Sequence, residues 1–226
     1  MRKISEKELK EILEKHQEFL STDGKEGERA DLRGVDLNRV YLGFANLAHA
    51  NLSGAILNRA SLYFAKLDYA DLSGADLTEA ALEAAQLYCA NLNSANLKLA
   101  RLPKANLESA NLVHANLSWS NLNPVNLESA NLAYANLYHA DLVDANLTKV
   151  NLAHANLSGA KLDYANLSGA DLTEAVLPRQ TMKIGPQATE TPEAYTIIKL
   201  NEDNIVSGCW SNRSLEEFQD IIQREN

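Results

Sequence analysis

The feature that most constrains this chain is a period of five. From Ala30 to Leu177 a unit of the form A-(N/D)-L-x-x recurs with no insertion or deletion, so leucine stands at residue 32 and at every fifth position up to 177, thirty in all. Neither ordinary element fits that spacing. A helix would carry successive leucines steadily around its axis, and a strand would switch their side at every unit. The chain must therefore change direction once per unit. If each unit is a short extended piece and a corner, Ala and Leu, two residues apart, both face inward, while Asn/Asp and the two variable residues face outward. Each buried leucine stabilises such an array by about 2 kcal/mol. The neighbouring inward position is kept small, since its Ala is replaced only by Val35, Val40, Ser120, Val125 and Val150.

Thirty matches in register make the array similar to the pentapeptide-repeat family. That resemblance implies an all-β solenoid, a right-handed quadrilateral β-helix with four units per coil. Thirty units then make about 7.5 coils, rising about 4.8 Å each into a rod about 36 Å long. Three segments follow: residues 1–29 as an N-terminal capping helix and linker, 30–177 as the β-helix, and 178–226 as a linker followed by a C-terminal hairpin and helix.

Local signals support both ends. Ser5 with Glu8 forms a capping box, and Ile4 with Leu9 a hydrophobic staple, so a helix is expected from about Glu6 to Leu20. Leu9, Ile12, Leu13, His16, Phe19 and Leu20 fall on one face of it, a stripe suited to covering the open end of a solenoid. In the tail, Thr196–Leu200 and Ile205–Trp210 flank the turn N-E-D-N and read as a hairpin. Ser214 with Glu217 opens a second helix carrying Leu215, Phe218, Ile221 and Ile222, and residues 179–195 read as a linker.

Charge and motifs narrow the function. Net charge is −9, distributed as −1, −5 and −3 over the three segments, so no segment is basic. Binding to a phosphate backbone needs clustered Lys and Arg, which disfavours direct nucleic-acid binding. No apolar run approaches a membrane span and no signal peptide is visible, so a cytoplasmic location is expected. Cys89 and Cys209 form neither a disulfide framework nor metal-ligand spacing. None of the common nucleophile, phosphate-binding or zinc motifs occurs, and a filled rod offers no concave site. The expectation is a non-enzymatic protein that uses no cofactor or metal.

What remains is surface, which a coil of four units sorts into columns. Asn or Asp precedes leucine in 8 of 8 units on the Leu32 face, 6 of 8 on the Leu37 face and 5 of 7 on the Leu47 face, but in only 2 of 7 on the Leu42 face. That face departs in its aromatics as well, with Phe44 above Phe64 and Tyr41 and Tyr63 beside them. Exposed aromatics gathered in two coils have the composition of a protein-binding hot spot. Tyr41, Phe44, Tyr63 and Phe64 are therefore the candidate partner-binding residues. Two other roles are open to them: a stacking ladder that stiffens a corner, or a patch covered by the N-terminal helix. A second column stacks His114, Tyr134 and His154, with Trp119 and His139 beside it. Its histidines stand about 9.6 Å apart, too far for one metal ion to bridge directly.

The expected function is a scaffold that presents a rigid surface to a protein partner, with a homodimer through a coil end as a further possibility. The resemblance also supplies a rival reading. Some pentapeptide-repeat proteins mimic DNA and bind type II topoisomerases such as gyrase, and Glu108, Glu128, Asp141, Asp144 and Asp163 would form the corresponding acidic surface.

Overall fold

The computed structural model describes residues 2–178 and, beyond them, the backbone of four two-residue strands. The array winds as a β-solenoid in which each coil pairs with the next through single-residue parallel bridges at a spacing of twenty, as in Asn51 with Asp71 and Asp71 with Asn91. Four such columns run the length of the rod, one per side. The leucines from Leu32 to Leu172 are buried, with Leu177 half-exposed at the end of the array.

Single bridges replace continuous strands because a corner interrupts the chain in every unit. The second variable residue, which closes each corner, has positive φ almost throughout, from Gly34 at 59° to Glu174 at 54°. A β-branched side chain resists that conformation, and no Val, Ile or Thr occupies any of these positions between Gly34 and Glu174. Pro124 cannot take a positive φ, and its corner contains the cis Asn123–Pro124 bond.

The hydrogen bonds explain the rest of the consensus. In a typical unit Leu52 N–H donates to the Asp71 carbonyl at 2.7 Å, Gly54 N–H to Ser73 at 2.8 Å, Ala55 N–H back to Leu52 at 3.0 Å, and Asp71 N–H to Ala50 at 2.9 Å. One backbone donor is left over, that of the residue after leucine. Asn or Asp accepts it: Ser53 N–H donates to Asn51 Oδ1 at 3.1 Å and Ser73 N–H to Asp71 Oδ1 at 3.0 Å. The side chain thus closes an Asx turn in each coil.

These residues do not simply point outward, as the alternation of an extended piece suggests. They are mostly half-buried, and their amides link neighbouring coils, with Asn116 donating to Asn96 at 3.1 Å and Asn136 to Asn116 at 3.3 Å. A half-buried amide column of this kind satisfies donors that an apolar face would otherwise strand.

Helix α1, Glu6–Ser21, begins at Ser5 with the expected capping box. Ile4, Leu9, Ile12 and Leu13 pack on the core, and buried His16 accepts the Ala30 N–H at Nδ1 over 3.1 Å. The segment before α1 adds a partial rung, since Arg2 bridges to Val35 and its carbonyl accepts the Asp36 N–H at 2.8 Å.

In the tail, β1 (Tyr195–Thr196) pairs antiparallel with β4 (Cys209–Trp210), and β2 (Lys199–Leu200) with β3 (Ile205–Val206), within the two segments read as a hairpin. The second helix and the linker lie outside the described residues.

Candidate functional site

Corner geometry decides what the surface displays. With positive φ at each corner, the side chain there projects from the edge of the rod and stacks on its counterpart one coil away. Rung spacing is close to ring thickness plus contact distance, so aromatic corners form ladders. Phe44 and Phe64 stack with ring centroids 5.3 Å apart and planes 3° from parallel.

Tyr63 joins them to Tyr41. Its ring meets Phe44 edge-on at 5.0 Å and Tyr41 at 5.7 Å, and the two tyrosine hydroxyls hydrogen-bond. That bond raises the Tyr63 phenol above its ordinary range. The four residues named from the sequence therefore form one continuous cluster. Tyr41 and Phe44 are each 63 % exposed and Phe64 54 %, so α1 does not cover them. The helix lies above, leaving a groove of about 530 Å³ lined by Leu9, Leu13, Val40 and Tyr41 among others.

Sequence reasoning missed the role of Gly43. A Cβ there would come within 2.9 Å of the Tyr63 ring and 3.1 Å of Tyr41. Gly43 has no positive φ, so it is small to admit a ring and not to free the backbone. The available signal was a glycine outside the corner position, between two tyrosines in space.

Over its first three coils the same face lacks its Asx acceptors. Tyr41, Ser61 and Ala81 stand where Asn or Asp would close the turn, and among the described residues the N–H groups of Gly43, Tyr63 and Glu83 have no hydrogen-bond acceptor.

The second aromatic column is also a ladder. His114 and Tyr134 stack at 5.1 Å, Tyr134 and His154 at 4.6 Å, and Trp119 and His139 at 4.3 Å. His154 Nδ1 lies 3.1 Å from Glu174. Among the described residues no three His, Cys, Asp or Glu side chains are grouped to hold a metal ion. Of the acidic residues, Glu128 and Asp144 line one groove with Tyr164 and Asn146. Among the described residues no helix is long and apolar enough to cross a membrane.

Comparison with known proteins agrees with the coil geometry. The sequence matches the family described as Pentapeptide repeats, in eight copies, over residues 28–62, 45–83, 55–93, 85–123, 110–148 and 140–177. Among solved structures, HetL of the cyanobacterium Nostoc sp. strain PCC 7120, a pentapeptide repeat protein involved in heterocyst differentiation regulation, is 29 % identical. The match covers 72 % of this chain and 91 % of HetL, with a TM-score of 0.38. Full-length QnrB1, a plasmid-mediated fluoroquinolone resistance protein, is 18 % identical over 69 % of this chain and 87 % of its own, with a TM-score of 0.55. A pentapeptide repeat protein of the Arabidopsis thaliana thylakoid lumen is 31 % identical over 43 % of this chain and 68 % of its own, with a TM-score of 0.42. The likeness to QnrB1 is one of fold. The search of curated proteins found no match.

Proposed function

The chain belongs to the pentapeptide-repeat family, and from that premise we propose that it is a non-enzymatic, cytoplasmic scaffold whose Leu42 face binds a protein partner. Tyr41, Phe44, Tyr63 and Phe64 are the contact residues. In this reading the thirty units form a right-handed quadrilateral β-helix over residues 30–177, closed at one end by the segment 1–29 and at the other by 178–226. Displacement of either cap would leave a coil end able to pair with a second copy.

One observation carries the proposal: four rings, three of them more than half exposed, are already assembled into a single cluster. A partner would bury them at little cost in lost side-chain freedom, because the corners and their mutual stacking hold them in place. The test is affinity capture from a matched cell extract with the wild-type protein and with Phe64→Ser. Proteins retained by the first and lost with the second, at an unchanged melting temperature, support the site. Identical capture by both removes it.

The rival reading, a DNA mimic acting on gyrase, draws on Glu128 and Asp144 in their shared groove and on the neighbouring Asp141 and Asp163. Equimolar protein that inhibits or protects gyrase supercoiling, with the effect lost on changing Glu108 and Glu128 to Gln, would favour it.

A further inference from the structure

The overall charge of −9 conceals a reversal along the Leu42 face. Over the first four coils, that face and its two bounding corners carry Arg39, Arg59, Arg101 and Lys104 against Glu79 and Glu83. Both carboxylates are engaged. Glu79 holds Arg59 at 2.8 Å and Glu83 holds Arg101 at 2.7 Å; Arg39 and Lys104, both exposed, form no close ion pair among the described residues, although Arg39 also acts on Glu79 from farther off. Farther along, the same face turns acidic, with Asp141, Asp144 and Asp163 against Lys161. The aromatic cluster lies wholly in the basic half.

Backbone chemistry in that half points the same way. Wherever Asn or Asp precedes leucine, the N–H of the residue after leucine donates to that side-chain oxygen two residues before it. At Gly43, Tyr63 and Glu83 that acceptor is missing on three successive coils, each a donor whose usual partner is an Asp or Asn side chain; on the adjoining faces Asn58 and Asp68 lack it as well.

We propose that the Leu42 face recognises an acidic, apolar extended peptide, whose carboxylates meet Arg39, Lys104 and these backbone donors while its apolar side chains lie on Phe44, Tyr63 and Phe64. This rests on the scaffold reading above and supplies its partner class. The dimensions suit it. Arg39 and Lys104 stand at opposite corners of the face, three coils and one side apart: roughly 14 Å along the rod, the length of about four to five extended residues, plus the width of the face. The excess of cations in an otherwise acidic molecule steers an acidic segment to this half and away from the Asp141 half. Helix α1 bounds the face at the upper end, where Glu6, Lys10 and Glu14 line the groove beside Tyr41.

The probe is a fluorescein-labelled peptide of alternating Asp and Leu, followed by fluorescence anisotropy at low and at physiological salt. Matched peptides of alternating Asn and Leu and of alternating Lys and Leu serve as controls, with a short DNA duplex as competitor. The Asp peptide should bind most tightly, and more weakly as salt rises. Arg39→Glu combined with Lys104→Glu should weaken it about fivefold or more. Both positions are corners, and Glu79 and Glu174 already occupy equivalent corners with φ of 57° and 54°, so the variant should fold. Phe64→Ser should weaken the Asp and Asn peptides alike. Equal binding of the Asp and Asn peptides, preference for the Lys peptide, or efficient displacement by DNA would each overturn the acidic-peptide assignment. If no peptide binds while extract proteins are still lost with Phe64→Ser, the acidic class falls and the scaffold reading stands.

Discussion

The Tyr63 ring lies over Gly43 so closely that a Cβ on Gly43 would sit 2.9 Å from it. Because Gly43 has no positive φ, alanine is acceptable to its backbone, and Gly43→Ala acts through the ring alone. Tyr63 should swing away and lose its contacts with Tyr41 and Phe44. The expected result is a changed near-ultraviolet circular dichroism spectrum, with a stability loss of about 1 kcal/mol or less, since the Leu and Ala core does not move.

A pH effect is expected at the other end of α1. Burial depresses the His16 pKa below its ordinary 6.5, with His49 and Arg29 adding to the shift and the Ala48 backbone opposing it. The neutral ring accepts the Ala30 N–H, which an imidazolium cannot do. Stability from this contact is therefore full above about pH 6.5. It falls as the pH drops below that value, because the undocked ring takes up the proton first, with a slope approaching about 1.4 kcal/mol per pH unit until the folded pKa is passed. Hydrogen exchange at the Ala30 amide should accelerate through that window in the wild-type protein, and His16→Gln should flatten the profile.

The corners make a third expectation. Ser129 has φ of 57°, and a β-branched residue there strains the backbone while glycine relieves it. Ser129→Val should be less stable than Ser129→Gly by about 1–2 kcal/mol in chemical denaturation. Equal stability would contradict the account of why Val, Ile and Thr are missing from these positions.

The coil was legible in the sequence because leucine spacing is itself the core pattern: a period of five fits neither helix nor strand, and the resemblance to pentapeptide repeats implied four units per coil. The Asn and Asp column was legible only as a count. That its oxygen closes each turn, and its amide links coils, depends on which backbone donor the corner leaves over, a fact of geometry that spacing does not carry. Tyr41, Phe44, Tyr63 and Phe64 could be placed on one face by adding twenty, but the way Tyr63 bridges the set depended on Gly43. Charge was hidden for a different reason. Summed along the chain Arg39 and Lys104 sit in an acidic segment, and only sorting by coil places them at the two corners that bound one face.

The last prediction separates the two roles of the amide column. Asn116 Oδ1 accepts the Ser118 N–H at 3.2 Å and the Asn136 amide at 3.3 Å, while its own Nδ2 donates to Asn96 at 3.1 Å. Asn116→Asp keeps both acceptor bonds and loses only the donor, and Asn116→Leu loses all three. With a net value of about 1 kcal/mol per hydrogen bond, and more for a half-buried donor left unpaired, Asn116→Leu should cost about 2–3 kcal/mol and Asn116→Asp about 1 kcal/mol. Ser118 is buried, so its stranded N–H has no water to turn to and its amide exchange should report the loss directly. Slow Ser118 exchange retained in Asn116→Leu would show that the turn closes without its side-chain acceptor, and the consensus Asn would then need an explanation in the ladder alone.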